Sequence, residues 1–226
     1  MSNAAIILGA GSGTRMKSEK SKLLLDLNGK TVIERTVAAF SKINLIDEII
    51  VVCRICDLEN FKCVLAGYDN ISYCFGGNTR QESVMNAVKT IDKCDLLIIH
   101  DGARPLITEK EIVDTIKSAE TSGAAAVGVP VKDTIKVVDK NNQIVDTPDR
   151  STLISIRTPQ IFDFDIYLKA VELAKAQGKD FTDDCQLVEN YGKPVFAVIG
   201  DYGNIKITTP EDIPLAQSIL KMRGEA

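Results

Sequence analysis

Phosphate chemistry is what the first unusual residues suggest. Leu8-Gly9-Ala10-Gly11-Ser12-Gly13-Thr14-Arg15-Met16 places small residues directly after an apolar run, and Lys17, Lys20 and Lys22 follow. Small residues there let backbone N–H groups approach an anion closely. Flexible cations beyond such a loop suit a triphosphate and the charge that builds up in phosphoryl or nucleotidyl transfer. Two better-known phosphate loops are excluded. A Walker A loop and a dinucleotide fingerprint starting at Gly9 would each need glycine where Thr14 stands. The second strand-like run also ends in Cys53-Arg54, not in the acid that reads a ribose. Hydride transfer is therefore disfavoured.

Two more segments carry similar signals. In Gly76-Gly77-Asn78-Thr79-Arg80-Gln81-Glu82-Ser83, paired glycines let a planar base lie on the backbone, and Asn78, Arg80 and Ser83 can read its edge. The same residues also suit a strand-to-helix turn capped by Asn78 or Thr79. In His100-Asp101-Gly102-Ala103-Arg104-Pro105, an acid ends a buried run, a frequent placement for a group that meets a metal–nucleotide. A local turn bond is the other use of Asp101. His100, the sole histidine, reads as structural, because no nucleophile adjoins it. Further polar groups are dispersed: Lys132-Asp133-Thr134, Asp149-Arg150, Arg157-Thr158-Pro159-Gln160, Phe181-Thr182-Asp183-Asp184 and Asn204-Ile205-Lys206-Ile207-Thr208. Lys206 interrupts apolar neighbours on a strand-like segment, which is costly unless an anion meets it or the side chain reaches solvent.

The elements that must hold these groups alternate. Strands are expected at 4–8, 48–53, 71–75, 96–99, 124–129 and 195–199. Helices are expected from the Thr31/Glu34 capping box to about Lys42, over 57–65, 80–91, 165–177 and 183–191, and from the Thr108/Glu111 capping box to Ser122. A last helix opens at Thr209-Pro210-Glu211-Asp212, with Thr209 as cap and proline at the first helical position. That rhythm predicts a mainly parallel sheet with helices on both faces and a ligand crevice beyond the C-terminal strand ends. Gly9–Arg15, Gly76–Arg80 and Asp101–Pro105 all fall at such ends. Between 132 and 157 the rhythm breaks. Thr134–Val138 and Gln143–Val145 flank Asp139-Lys140-Asn141-Asn142, so a β-arm is expected there, inserted into one domain spanning 1–226.

Composition narrows the partners. The 226 residues carry 27 Lys+Arg and 31 Asp+Glu, a net charge of −4, which argues against nonspecific nucleic-acid binding. No apolar run is long enough to span a membrane. Met1-Ser2-Asn3 enters the first strand without a basic leader, so no secretory signal is expected. Six cysteines in a chain with an ample core read as buried thiols in a reducing cytoplasm, Cys53-x-x-Cys56 included.

Taken in order, these motifs resemble the 2-C-methyl-D-erythritol 4-phosphate cytidylyltransferase family of the non-mevalonate isoprenoid pathway. The segments that carry the resemblance are Gly-Ser-Gly-Thr-Arg-Met, Gly-Gly-x-x-Arg-x-x-Ser-Val, His-Asp-Gly-Ala-Arg-Pro, Pro-Val-Lys-Asp-Thr-Ile-Lys, Thr-Pro-Gln-x-Phe, Thr-Asp-Asp and Asn-Ile-Lys-Ile-Thr-Thr-Pro-Glu-Asp. The residues after Lys22, Leu23-Leu24-Leu25, depart from the family's usual Gln and aromatic. The resemblance implies a Rossmann-like, GT-A-like nucleotidyltransferase fold, CTP as donor, a divalent cation such as Mg2+, and a homodimer joined through the β-arm. It also implies roles. Arg15 and Lys22 would stabilise the transition state. Gly9, Ala10, Gly11, Ser12, Gly13, Gly77, Asn78, Arg80, Ser83, Asp101 and Gly102 would hold CTP, with Asp101 beside the metal. Arg104, Thr134, Arg150, Thr158, Thr182 and Lys206 would hold the acceptor phosphate, Thr134 and Arg150 serving the partner's site. Two other readings stay open: ribitol 5-phosphate cytidylyltransferase, and a CTP-binding regulator without turnover.

Overall fold

The computed structural model of the protein describes residues 2–11 and 21–225. Alternating apolar runs and amphipathic helices build one layered sheet. The strands and helices run β1 Asn3–Leu8, β2 Asp26–Leu27, β3 Lys30–Thr31, α1 Val32–Ser41, β4 Glu48–Cys53, α2 Leu58–Val64, β5 Ile71–Phe75, α3 Arg80–Val88, β6 Leu96–Asp101 and α4 Glu109–Ser122. They continue with β7 Ala124–Pro130, β8 Val137–Val138, β9 Ile144–Asp146, β10 Ile154–Asp163, α5 Phe164–Gln177, α6 Asp184–Asn190, β11 Phe196–Ile199 and α7 Asp212–Met222. The main sheet has the order β11-β7-β10-β6-β1-β4-β5.

β1 lies between β4 and β6, parallel to both, and is buried on both faces, which is why its sequence is continuously apolar. Ala5 and Ile7 join a core with α1, α2, α4 and α7; Ala4 and Ile6 join a second core with α3, α5 and α6. Thr31 and Thr108 each complete a capping box with Glu34 and Glu111, so both helices start where their sequences predict. Among the described residues no helix is long and apolar enough to cross a membrane.

Four differences from expectation matter. First, residues 154–163 form a long strand in the middle of the sheet, antiparallel to β6 and β7. Its sequence, Ile-Ser-Ile-Arg-Thr-Pro-Gln-Ile-Phe-Asp, hides it: proline is disfavoured inside a sheet. The pairing with β7 is interrupted between Ile156 and Gln160, and Pro159 sits in that gap after a cis peptide bond. Second, the arm is slighter than expected, since only Val137–Val138 and Ile144–Asp146 pair. Third, Asn204–Thr208 is no strand; it crosses the strand ends, with the Ile207 N–H on the Ala103 carbonyl at 2.8 Å. Fourth, the last helix begins at Asp212 rather than beside Thr209. The Asp212 carboxylate folds back to accept from the N–H groups of Thr208 and Thr209 at 2.7 and 2.8 Å.

The expectation of buried thiols holds for Cys53, Cys94 and Cys185 but not for Cys56 and Cys63, which are exposed. All six cysteines are free, Cys53 is buried while Cys56 is exposed, and burial pushes the Cys53 thiol up to about 11.

Gly9 shows how tightly the first loop is laid on the sheet. Its N–H donates to the Val52 carbonyl at 2.7 Å, and a Cβ there would stand 2.8 Å from that same oxygen. Gly9→Ala is expected to destabilise the fold by about 1–3 kcal/mol, the usual cost of forcing an extra methyl into a packed site. Urea unfolding of the two proteins checks this, and equal midpoints would contradict it.

Candidate active site

The ends of β1, β6 and the β5–α3 connection open into one cleft of about 460 Å³. Its lining includes Gly9, Ala10, Gly11, Lys22, Gly77, Asn78, Arg80, Ser83, Asp101 and Lys206, all singled out by sequence. Thr79 and Thr208 join them, and Leu8, Leu23 and Ala103 supply apolar surface. Gly102 does not line the cleft but packs behind Leu8 and Leu23, which do. A Cβ on it would come within 2.8 Å of the Leu8 carbonyl and 3.1 Å of Ile33. Arg15, Ser12 and Gly13 lie outside the described residues, as do Lys17 and Lys20.

Asp101 is the electrostatic centre. Its carboxylate is nearly buried and meets Lys206 Nζ at 2.8 Å, Arg104 Nε at 3.6 Å and Arg80 Nε at 3.8 Å. Burial alone would push this acid up, but Lys206, Arg80 and Arg104 outweigh it and hold the carboxyl down at about 2. Lys206 takes both routes its sequence left open: its ammonium meets an anion, and its side chain still reaches solvent. Arg80 is shared: its Nη1 donates to the buried Asp184 at 2.5 Å, and Asp184 also accepts from the Tyr167 hydroxyl at 2.8 Å. Burial would lower the Arg80 pKa, yet Asp184 and Asp101 raise it.

The two loops are built by short-range bonds. Thr79 caps α3, its hydroxyl accepting from the Glu82 N–H at 3.0 Å. Ser83 Oγ accepts from the Gly77 N–H at 3.0 Å and donates to the Thr79 carbonyl at 2.9 Å. The capping and lining roles weighed from sequence therefore coexist. Lys22 opens a short 3₁₀ turn and reaches across the cleft to the Ile207 carbonyl at 2.8 Å. The next residue, Leu23, is buried beneath Gly9 and Gly102, which explains the apolar run after Lys22.

The acceptor-side candidates separate. Lys206 lines the cleft and Arg104 lies against Asp101. Thr158 is buried under Asp101, its hydroxyl accepting from the Asp101 N–H at 3.0 Å. Thr134 and Arg150 are exposed on the arm and do not line the cleft; Arg150 Nη1 donates to the Lys132 carbonyl at 2.7 Å. Thr182 is exposed and also outside the cleft, bonding Gln186 at the start of α6. The sequence named Asp184 and Gln160 among its dispersed polar groups without a role and did not single out Tyr167; the Asp184 N–H donates to Gln160 Oε1 at 3.1 Å, so all three support Arg80. The signal was available in Asp184, a second acid after Asp183 in a helix cap that needs only one.

His100 is fully buried between Thr158 and the Arg104 carbonyl, with ring nitrogens at 3.1 and 3.2 Å. Burial holds it neutral, down at about 3.

A doubly wound sheet with a glycine loop, a strand-end aspartate and converging cations at its carboxyl ends defines a nucleotidyltransferase-type α/β protein. Residues 3–222 match the IspD family, 2-C-methyl-D-erythritol 4-phosphate cytidylyltransferase, and the chain belongs to it. A relative of that name from Caldanaerobacter subterraneus subsp. tengcongensis is 46% identical, covering 98% of this chain and 100% of its own. One from Clostridium perfringens is 41% identical over 96% and 98%. Among solved structures, 4-diphosphocytidyl-2C-methyl-D-erythritol synthase from Anaerococcus prevotii superposes with a TM-score of 0.88 at 37% identity, covering 97% and 96%. The Thermus thermophilus cytidylyltransferase gives 0.79 at 28% identity, covering 98% and 100%.

The low values at His100 and Asp101 have a consequence for stability. An unfolded chain protonates this histidine near 6.5, whereas the folded one resists until about 3. His100 therefore favours folding fully above about pH 6.5, and that contribution drains as pH falls toward 3. The span corresponds to on the order of 4–5 kcal/mol. Asp101 acts in the same direction but lower, between its ordinary 3.8 and about 2. Denaturation followed from pH 7 to 4 should show a clear loss that is flattened in His100→Asn; an equally steep loss in the variant would contradict the assignment.

Proposed function

We propose that the protein transfers CMP from CTP to 2-C-methyl-D-erythritol 4-phosphate, releasing pyrophosphate and forming 4-diphosphocytidyl-2-C-methyl-D-erythritol. The observation that carries this reading is the family match over residues 3–222, together with the cationic cleft lined by Gly9–Gly11, Lys22, Gly77–Arg80, Asp101 and Lys206. The acceptor reading follows the names of the relatives, none of the reported ones being a ribitol phosphate enzyme.

The chemistry suits the side chains at hand. An oxygen of the acceptor's phosphate attacks the α-phosphorus of CTP, the bond to the bridging oxygen breaks, and pyrophosphate leaves. The acceptor phosphate has a second pKa of about 6 and is mostly dianionic at neutral pH. No general base is needed, which agrees with a buried, neutral His100. The barrier is the approach of one anion to another. Lys22, Arg80 and Lys206 around the cleft offset that repulsion, and Arg15 joins them in this reading. Gly9, Ala10 and Gly11 offer backbone to the triphosphate, while Gly77, Asn78 and Ser83 face the base. Lys206 and Arg104 take the acceptor phosphate.

The site also suits Mg2+. Among the described residues, Asp101 is the one carboxylate lining the cleft, and no group of three or more acidic, histidine or cysteine side chains gathers. Mg2+ bound with a nucleotide takes one or two carboxylates and fills its shell with phosphate oxygens and water. Asp101 would hold it, and the ion would supply charge neutralisation on the triphosphate.

The arm exposes Val137, Val138, Ile144 and Val145, each 43–58% accessible. A second copy of the chain is the partner we propose for this apolar surface, the arm carrying Thr134 and Arg150 to the other subunit's cleft.

Purified protein given CTP, Mg2+ and methylerythritol phosphate should release pyrophosphate, and ribitol 5-phosphate should be a poor substitute. No release with the first acceptor would overturn the substrate, and binding of CTP without any product would point to a regulator.

In this reading Arg15→Ala lowers turnover by roughly 10²–10³, the size seen when one charge-stabilising donor is lost. Lys206→Ala should weaken use of the acceptor more than binding of CTP. Initial rates over both substrates check this, and equal losses for both would contradict the division of roles.

If the arm crosses, mixing Arg150→Ala with Lys206→Ala subunits, each impaired in acceptor use, should restore about a quarter of the sites to full acceptor use by random pairing. Absence of any recovery after verified exchange would count against the crossing.

A further inference from the structure

We propose that His100 is a positioning residue for this reaction, clamping the Asp101 end of β6 to β10 and to the segment that carries Lys206. The clamp rests on the cytidylyltransfer reading for its kinetic consequence, but its geometry stands without it.

Each link has one direction. A carbonyl can only accept, so His100 Nε2 carries the proton that meets the Arg104 oxygen at 3.2 Å. Nδ1 is then the acceptor, and the Thr158 hydroxyl donates to it at 3.1 Å. With its proton committed, Thr158 Oγ1 accepts from the Asp101 N–H at 3.0 Å. The Thr158 carbonyl accepts from Asn204 Nδ2 at 3.0 Å, and the Asn204 carbonyl accepts from Arg104 Nη1 at 3.0 Å. The bonds close a ring through His100, Thr158, Asn204 and Arg104.

The ring joins exactly the pieces that sequence scatters. His100 and Asp101 end β6, Thr158 lies in β10 just before the cis Pro159, and Asn204 stands two residues before Lys206. Arg157 Nη1 reinforces it by donating to the carbonyls of Asp201, Tyr202 and Asn204 at 3.1, 3.1 and 2.8 Å. His100 and Asn204 are fully buried and Thr158 nearly so. The imidazole also packs on Phe40, ring centroids 4.7 Å apart. His100 is absent from the cleft lining, so its effect must pass through what it holds. What it holds is the spacing between Asp101, Arg104 and Lys206. Gly77, Asn78 and Ser83 lie outside the ring, so a broken clamp should disturb the acceptor side more than the nucleotide side. Misplacement on the ångström scale is enough for large kinetic losses.

The test combines spectroscopy with kinetics. Because the chain has a single histidine, long-range ¹H–¹⁵N spectra read its tautomer without assignment. In the unmodified protein we expect one Nε2–H form with an accepting Nδ1; an Nδ1–H form, or averaging of the two, overturns the clamp. For function, Thr158→Val removes the hydroxyl at nearly constant volume and Thr158→Ser keeps it, while His100→Gln tests the ring itself. Thr158→Val and His100→Gln should raise KM for the acceptor phosphate about 10-fold, on the scale that small misplacements allow. CTP affinity measured without Mg2+, the ion Asp101 would hold, should stay within about twofold, and Thr158→Ser should recover most of the loss. A fall in kcat alone, proportional to the folded fraction and with both KM values unchanged, would mean that His100 only supports the fold. If the unmodified protein makes no product, the function is wrong, and the tautomer measurement still decides the clamp.

Discussion

A carboxylate held beneath three cations is the constraint from which the rest of this molecule follows. Asp101 gives up most of its hydration, a loss that by itself would raise its pKa. Lys206, Arg80 and Arg104 reverse that outcome and leave the acid ionised at any ordinary pH. The balance is lopsided: even with Asp184 drawing on Arg80, positive charge exceeds negative around the cleft. Lys206 remains about two-fifths exposed and can turn to a second anion. A site so arranged is stable when empty because Asp101 occupies the cations, and it is ready for phosphates because one carboxylate does not satisfy them all.

The fold serves that arrangement by bringing distant segments to one edge. β1 and β6 deliver Gly9 and Asp101 side by side, as their register pairs Leu8 with Asp101. The antiparallel β10 then returns through the middle of the sheet, and its irregularity near Pro159 places Thr158 below the aspartate. The Asn204–Thr208 segment crosses over the strand ends, pinned to Ala103, Thr158 and Lys22. Nothing in that crossing is regular secondary structure. Its geometry is set by side-chain bonds to backbone carbonyls, the usual way an irregular segment satisfies its polar groups when it runs over a core.

Much of this was legible in the residues. Continuous apolar runs ending in glycine or aspartate marked β1 and β6, and the capping boxes at Thr31 and Thr108 marked two helix starts to the residue. Of the nucleotide-side candidates, Gly9, Ala10, Gly11, Gly77, Asn78, Arg80, Ser83 and Asp101 gathered at the cleft because each sits within a few positions of a strand end. β10 was hidden because its proline and its polar centre break the strand pattern, and only pairing on both sides reveals it. Thr182 stayed outside the cleft because its place depends on how α6 docks, which no local pattern encodes. Thr134 and Arg150 stand on an arm whose position relative to any cleft is a question of assembly rather than of local sequence. Asp184 was named without a role because its partner, Arg80, lies about a hundred residues away in the chain, and Tyr167 was overlooked because it reaches the site only through Asp184.

The most direct measurement is a crystal structure of the protein with CTP, Mg2+ and methylerythritol phosphate bound together. The expected result is both ligands in the one cleft, with Lys22 turned from the Ile207 carbonyl to the triphosphate and Lys206 on the acceptor's phosphate. Two ligands on separate surfaces, or an acceptor phosphate seated away from Lys206 while that lysine stays on Asp101, would contradict the shared cationic site.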